Sequence, residues 1–193
     1  MKLNPGLALL LSLALAPGLR ADAPAAAPEP SAAHAPPEAP ASPYAILESL
    51  IGGVWSGPIA AGKDGVPRVI ELHFAWAENR QGVRFASWIV HGSHRSPYVS
   101  GMYAWDAAKG KLRMFYTDSG GSLTDGLVAV DGNVLTHDLT ETNKDASVDT
   151  VRVKLTKLDD DVFTNEVFML ADGNYARIAE VRYEREPDLT HQP

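Results

Sequence analysis

From residue 68 onward, apolar and polar residues alternate with a period of two, the signature of half-buried β-strands. In 68–77, Ile70, Leu72, Phe74 and Trp76 share one face, while Glu71, His73 and Ala75 share the other. Similar stretches are predicted at 54–59, 83–91, 99–106, 112–117, 123–130, 134–140, 148–158, 161–170 and 175–184. Asp131-Gly132-Asn133 and Ala171-Asp172-Gly173-Asn174 separate pairs of strands with residues that accept positive φ, a strong hairpin signal. One segment has a different period. In 44–51, Leu47, Leu50 and Ile51 fall on one side at helical spacing, and Gly52-Gly53 ends the run, so a short helix precedes the strands.

About ten strands joined by short connections predict an all-β, antiparallel up-and-down meander. An open meander leaves two unpaired edges, and closure into a barrel removes them. Ten strands make a barrel wider than the eight-stranded type, whose interior side chains just fill, so a cavity is expected. The short helix is placed to close one end. A sandwich of two sheets is the alternative.

The N-terminal 43 residues read differently. Lys2 precedes the apolar run Leu7–Ala16, and Ala21-Asp22-Ala23 has the small-x-small pattern of a signal-peptidase site. The run is too short to span ~30 Å of hydrocarbon. Residues 1–23 are therefore expected to be a signal peptide and the product periplasmic or secreted. Residues 24–43 are almost all Ala, Pro, Ser and Glu, an extended solvated linker containing His34. The folded domain is expected over 44–186, with 187–193 as a tail.

Composition narrows the function classes. Cysteine is absent, which excludes disulfides, thiolate metal sites and thiol catalysis, so the hydrophobic core alone must hold the fold. A net charge of −7 argues against nucleic acid and anionic lipid surfaces as partners. No nucleophile elbow, P-loop, dinucleotide fingerprint, metalloprotease helix or EF-hand loop occurs. Asp159-Asp160-Asp161 reads as a turn.

The segment Leu50-Ile51-Gly52-Gly53-Val54-Trp55-Ser56-Gly57 contains G-x-W-x-G, which resembles the start of lipocalin-like (calycin) barrels, where the Trp packs across the barrel floor. With Gly101–Asp106, Lys111–Gly120, Asp172–Tyr175 and Tyr183–Arg185, the domain resembles a bacterial secreted lipocalin-like family of unknown function. That resemblance implies a calycin barrel that binds a small molecule. The start motif and strand number also resemble the nitrobindins, which implies haem held by one histidine at the barrel mouth and peroxynitrite chemistry. The Gly-rich, Tyr-Pro-containing continuation of the nitrobindin motif is missing here, where the chain reads Pro58-Ile-Ala-Ala-Gly-Lys-Asp-Gly-Val-Pro67.

Candidate site residues follow from the aromatic strands. Trp76, Trp88, Tyr103, Trp105, Phe115 and Tyr116 come from four consecutive strands, and a ligand pocket is typically apolar and aromatic with a few polar groups. Trp88, Tyr103, Trp105 and Tyr116 are the expected ligand-stacking wall, with Arg84, on the strand face of Trp88, orienting a polar group. Arg177 and Glu166 lie mid-strand, where an outer, solvated face is the ordinary place for charge. His91-Gly-Ser-His94 is the one close histidine pair and supplies the candidates for a metal or haem ligand. His73 falls on the polar face of its strand, His137 lies mid-strand with its face open, and His191 falls in the tail. The leading expectation is a barrel that binds a small, largely apolar or aromatic molecule without catalysis or a cofactor. The alternatives are a haem protein using His91 or His94, and a protein-interaction module.

Overall fold

The computed structural model describes residues 42–61 and 65–186. The expected signal peptide, the tail and all but the end of the linker lie outside them. The described residues belong to one compact unit, Pro40–Pro193, and form a closed antiparallel barrel of ten strands. The strands are β1 (Trp55–Ile59), β2 (Arg68–Trp76), β3 (Gly82–His91), β4 (His94–Asp106) and β5 (Lys111–Asp118), then β6 (Leu123–Asp131), β7 (Val134–Thr142), β8 (Val148–Lys157), β9 (Val162–Ala171) and β10 (Asn174–Arg185). Each pairs with its sequence neighbours, and β1 pairs with β10 to close the ring.

The alternation sets the inner face. On β2, Ile70, Leu72 and Phe74 are buried while Glu71 and His73 lie on the other face. One of the two-residue hairpin turns is Asp172-Gly173, between β9 and β10. Both residues have positive φ (50° and 77°), the combination that matches the right-handed twist of the flanking strands. Two boundaries differ from the sequence expectation by more than two residues. The helix α1 is shorter, Ala45–Glu48, because the chain beyond it tightens into turns, with the Leu50 and Ile51 N–H groups donating three residues back to the Leu47 and Glu48 carbonyls before Gly52 and Gly53 take positive φ. β4 begins at His94 rather than Val99, since only Gly92-Ser93 form the turn and His91 pairs with His94. Pro97 is tolerated inside β4 because it sits beside a bulge in the β3–β4 ladder.

One barrel end is sealed. Leu47 and Leu50 of the α1 segment are fully buried against the interior, with Trp55 and Phe163. The Trp55 ring meets Phe163 edge-on at 4.9 Å, and Phe163 stacks on Tyr183 at 4.7 Å. Trp55 Nε1 donates to the Leu50 carbonyl at 2.8 Å, satisfying the one polar atom that its burial would strand. Arg185 lies over the outer side of Trp55, 4.2 Å from its ring, and donates to the carbonyls of Ser49 and Gly52. Tyr44 Oη donates to the Gln81 carbonyl and accepts from the Trp105 backbone N–H, both at 2.9 Å. These contacts fix the plug to the β1, β10 and β2–β3 ends.

Candidate functional site

Above that floor the barrel encloses a cavity of about 380 Å³, at the small end of the range for small-molecule sites. Its wall is mostly aliphatic and aromatic, including Leu72, Phe74, Phe85, Met114, Val151 and Leu155. Gly101 is a condition of this space. A Cβ there would lie 2.8 Å from the Phe85 ring and would also press on the Phe115 carbonyl and the Tyr116 side chain.

The polar groups of the wall are few. His137 is fully buried between Leu135 and Leu139 of β7. Its Nδ1 is 3.0 Å from the Val153 carbonyl, which only accepts, so Nδ1 carries the proton and donates. Nε2 then accepts from Tyr103 Oη across the lumen at 3.0 Å. Burial pushes the His137 pKa down to about 4, with the Val153 hydrogen bond opposing it, so the ring is neutral at pH 7. Burial raises the Tyr103 phenol far above its ordinary value, so it stays protonated. The pair is a fixed, uncharged strut. Tyr103 donates its O–H as a hydrogen bond to His137 and leaves the oxygen lone pairs as acceptors at the wall. Asn165 of β9 also lines the cavity, and its Oδ1 is buried with no hydrogen-bond partner among the described residues.

The rim is different. Tyr98, Tyr116 and Glu141 line the cavity where β4, β5 and β7 approach the open end. Burial raises both phenols, and the charges of Glu141 and Asp118 add to the rise. No hydrogen bond or ion pair engages the Glu141 carboxylate among the described residues.

Of the expected wall, Tyr103 and Tyr116 line the cavity, and Arg84, Trp88 and Trp105 do not. The inner residues of β3 are Val83, Phe85, Ser87 and Ile89, which puts Arg84 and Trp88 outside. Arg84 is exposed. Trp88 packs on the outer surface against His73 at 4.9 Å and beneath the Arg95 guanidinium at 3.8 Å. Trp105 shares the phase of Tyr103 but stands at the plugged end, 46% exposed. Trp76 packs on Tyr44 there, and Phe115 is on the outer face. Arg177 pairs outside with Glu166 and Glu180. His91 and His94 face each other across their turn, His94 exposed, and no group of three potential metal ligands occurs among the described residues. The site residues that the aromatic pattern did not mark are His137, Asn165 and Glu141. For two of them a signal existed, since Leu135, His137, Leu139 and Glu141 share one phase of β7.

The haem implied by the nitrobindin resemblance does not fit these residues. Among the described residues, His137 is the one histidine of the cavity wall, and both of its ring nitrogens are hydrogen-bonded. His91 and His94 are not part of the lining.

No protein-family model matches the chain, and no curated protein matches it. Among solved structures, it is similar to the crystal structure of Rv2717c from M. tuberculosis, with a TM-score of 0.51 and 16% identity. The match covers 76% of this chain and 99% of that one. At that identity the likeness speaks for the barrel fold alone.

Proposed function

We propose that this protein is an exported, lipocalin-like binding protein that holds one small, largely apolar or aromatic molecule inside its barrel. The observation that carries the reading is the cavity itself, blind at the α1 end, open at the other, and uncharged at depth. An apolar body gains there by leaving water, and the Tyr103 oxygen and Asn165 provide a few fixed polar contacts. The neutral His137, locked on both nitrogens, favours binding over chemistry. Export rests on the N-terminal pattern of Lys2, the 7–16 apolar run and the Ala21-Asp22-Ala23 site.

Native mass spectrometry of protein recovered from the periplasm or medium tests both halves. The expected chain mass lacks residues 1–23, and the expected complex carries one small organic molecule. In solution, the neutral fluorophore N-phenyl-1-naphthylamine should bind the wild type. Ala179→Phe, which projects a ring from β10 into the lumen, should weaken it about tenfold or more through lost space. Equal binding by both proteins contradicts a cavity site.

A further inference from the structure

The rim carries a carboxylate, Glu141, with no hydrogen-bond or ion-pair partner among the described residues, and this deepens the cavity reading on which it rests. The strand register puts Gly101 opposite Tyr116, Tyr116 opposite Thr124, and Thr124 opposite Glu141. Tyr116 and Glu141 therefore stand on one level of the wall, and Tyr98 adds a second phenol where β4 reaches the rim. Neighbouring carboxylates are committed, since Asp118 accepts from the Ser122 N–H and Asp149 from the Asn143 amide. Glu141 is half-buried and has neither kind of partner among the described residues. Among the described residues, no lysine or arginine lines the cavity. Arg68, at the same end on β2, is not part of the lining.

A carboxylate held partly out of water is costly without a donor or a cation. Both rim phenols are neutral at pH 7, and aromatic rings beside a carboxylate suit a cation better than an anion. We propose that the ligand is a lipophilic amine, its apolar body in the barrel and its ammonium group at the mouth on Glu141, beside Tyr98 and Tyr116. The same arrangement repels fatty acids and other anionic amphiphiles.

The test displaces N-phenyl-1-naphthylamine with three probes that share one apolar body, namely octylamine, 1-octanol and octanoate, at pH 7. The wild type should prefer octylamine over octanol by about tenfold, with octanoate weakest. Glu141→Gln should bring octylamine down to the octanol level and leave octanol unchanged. Glu141→Lys should put octanoate first, and uptake of the fluorophore by each variant shows that it is folded. Octanol equal to octylamine, or an amine preference that persists in Glu141→Gln, overturns the proposal while the cavity reading stands. A wild-type preference for octanoate overturns it too. Failure of the wild type to take up the fluorophore removes the cavity reading and this proposal with it.

Discussion

Acidification should loosen this barrel through His137. In the folded state the ring resists protonation until about pH 4, against an ordinary 6.5. Between those values the unfolded chain binds a proton at this position that the folded chain does not, so stability falls as the pH drops through 6.5 toward 4. Above 6.5 the ring is neutral in both states and adds no pH dependence. At about 1.4 kcal/mol per pH unit, the loss is roughly 2 kcal/mol by pH 5 and roughly 3 kcal/mol once both states are protonated. The assay is urea unfolding at pH 7 and pH 5, for the wild type and for His137→Gln. A glutamine can donate to the Val153 carbonyl and accept from Tyr103 without titrating. His73 shifts in the same direction, through burial and Arg95, so the subtraction of the two proteins is essential. Asp145 and Asp160, lowered by their hydrogen bonds to Ser147 and Lys157, lose their contribution only below this window. The wild type should lose about 2 kcal/mol more than the variant between pH 7 and pH 5. An equal loss in both proteins would refute the assignment of the shift to a neutral, buried His137.

Two further changes probe the floor and the lumen. Trp55→Ala removes the ring that joins Phe163, Arg185 and the α1 segment, and should lower stability by about 3–5 kcal/mol in the same unfolding assay. A loss below about 1 kcal/mol would mean that the plug is held without it. Gly101→Ala should cost about 1–3 kcal/mol and weaken fluorophore binding, because the new methyl meets the Phe85 ring and the Phe115 carbonyl. A thermal melt and a titration unchanged from the wild type would show slack in the wall that the structure does not have.

The strands and the meander were legible because alternation and turn residues are local. The β9–β10 hairpin, for example, needs only Asp172-Gly173 between two alternating runs. Which face of a strand turns inward is also local in principle, but large side chains on both faces confuse it. On β3, Trp88 suggested a wall, yet Val83, Phe85 and Ile89 hold the opposite phase and fill the interior. Trp105 has the inner phase and still misses the cavity, since periodicity gives the side of a strand and not the height along the barrel. The Tyr103–His137 bond was beyond such reading altogether. It crosses the lumen between β4 and β7, and the register of the intervening β5 and β6 decides that the two meet. Glu141 was legible in phase but not in role, because only the assembled rim shows that its neighbours are committed elsewhere.

The way the ring closes has a kinetic consequence. Every seam but one joins strands adjacent in the chain, so those hairpins can zip with little loss of loop entropy. The last joins β1 to β10 through just two residue pairs, Trp55 with Arg185 and Ser56 with Glu184. Arg185 also reaches back 133 residues to the Gly52 carbonyl. A contact of that sequence separation is slow to form and belongs to the end of folding. Once formed, it is the shortest ladder in the barrel, and Arg185 on Trp55 serves as its latch. Native-state fluctuations should therefore begin at this seam, with the β1 amides exchanging with solvent ahead of the long ladders opposite.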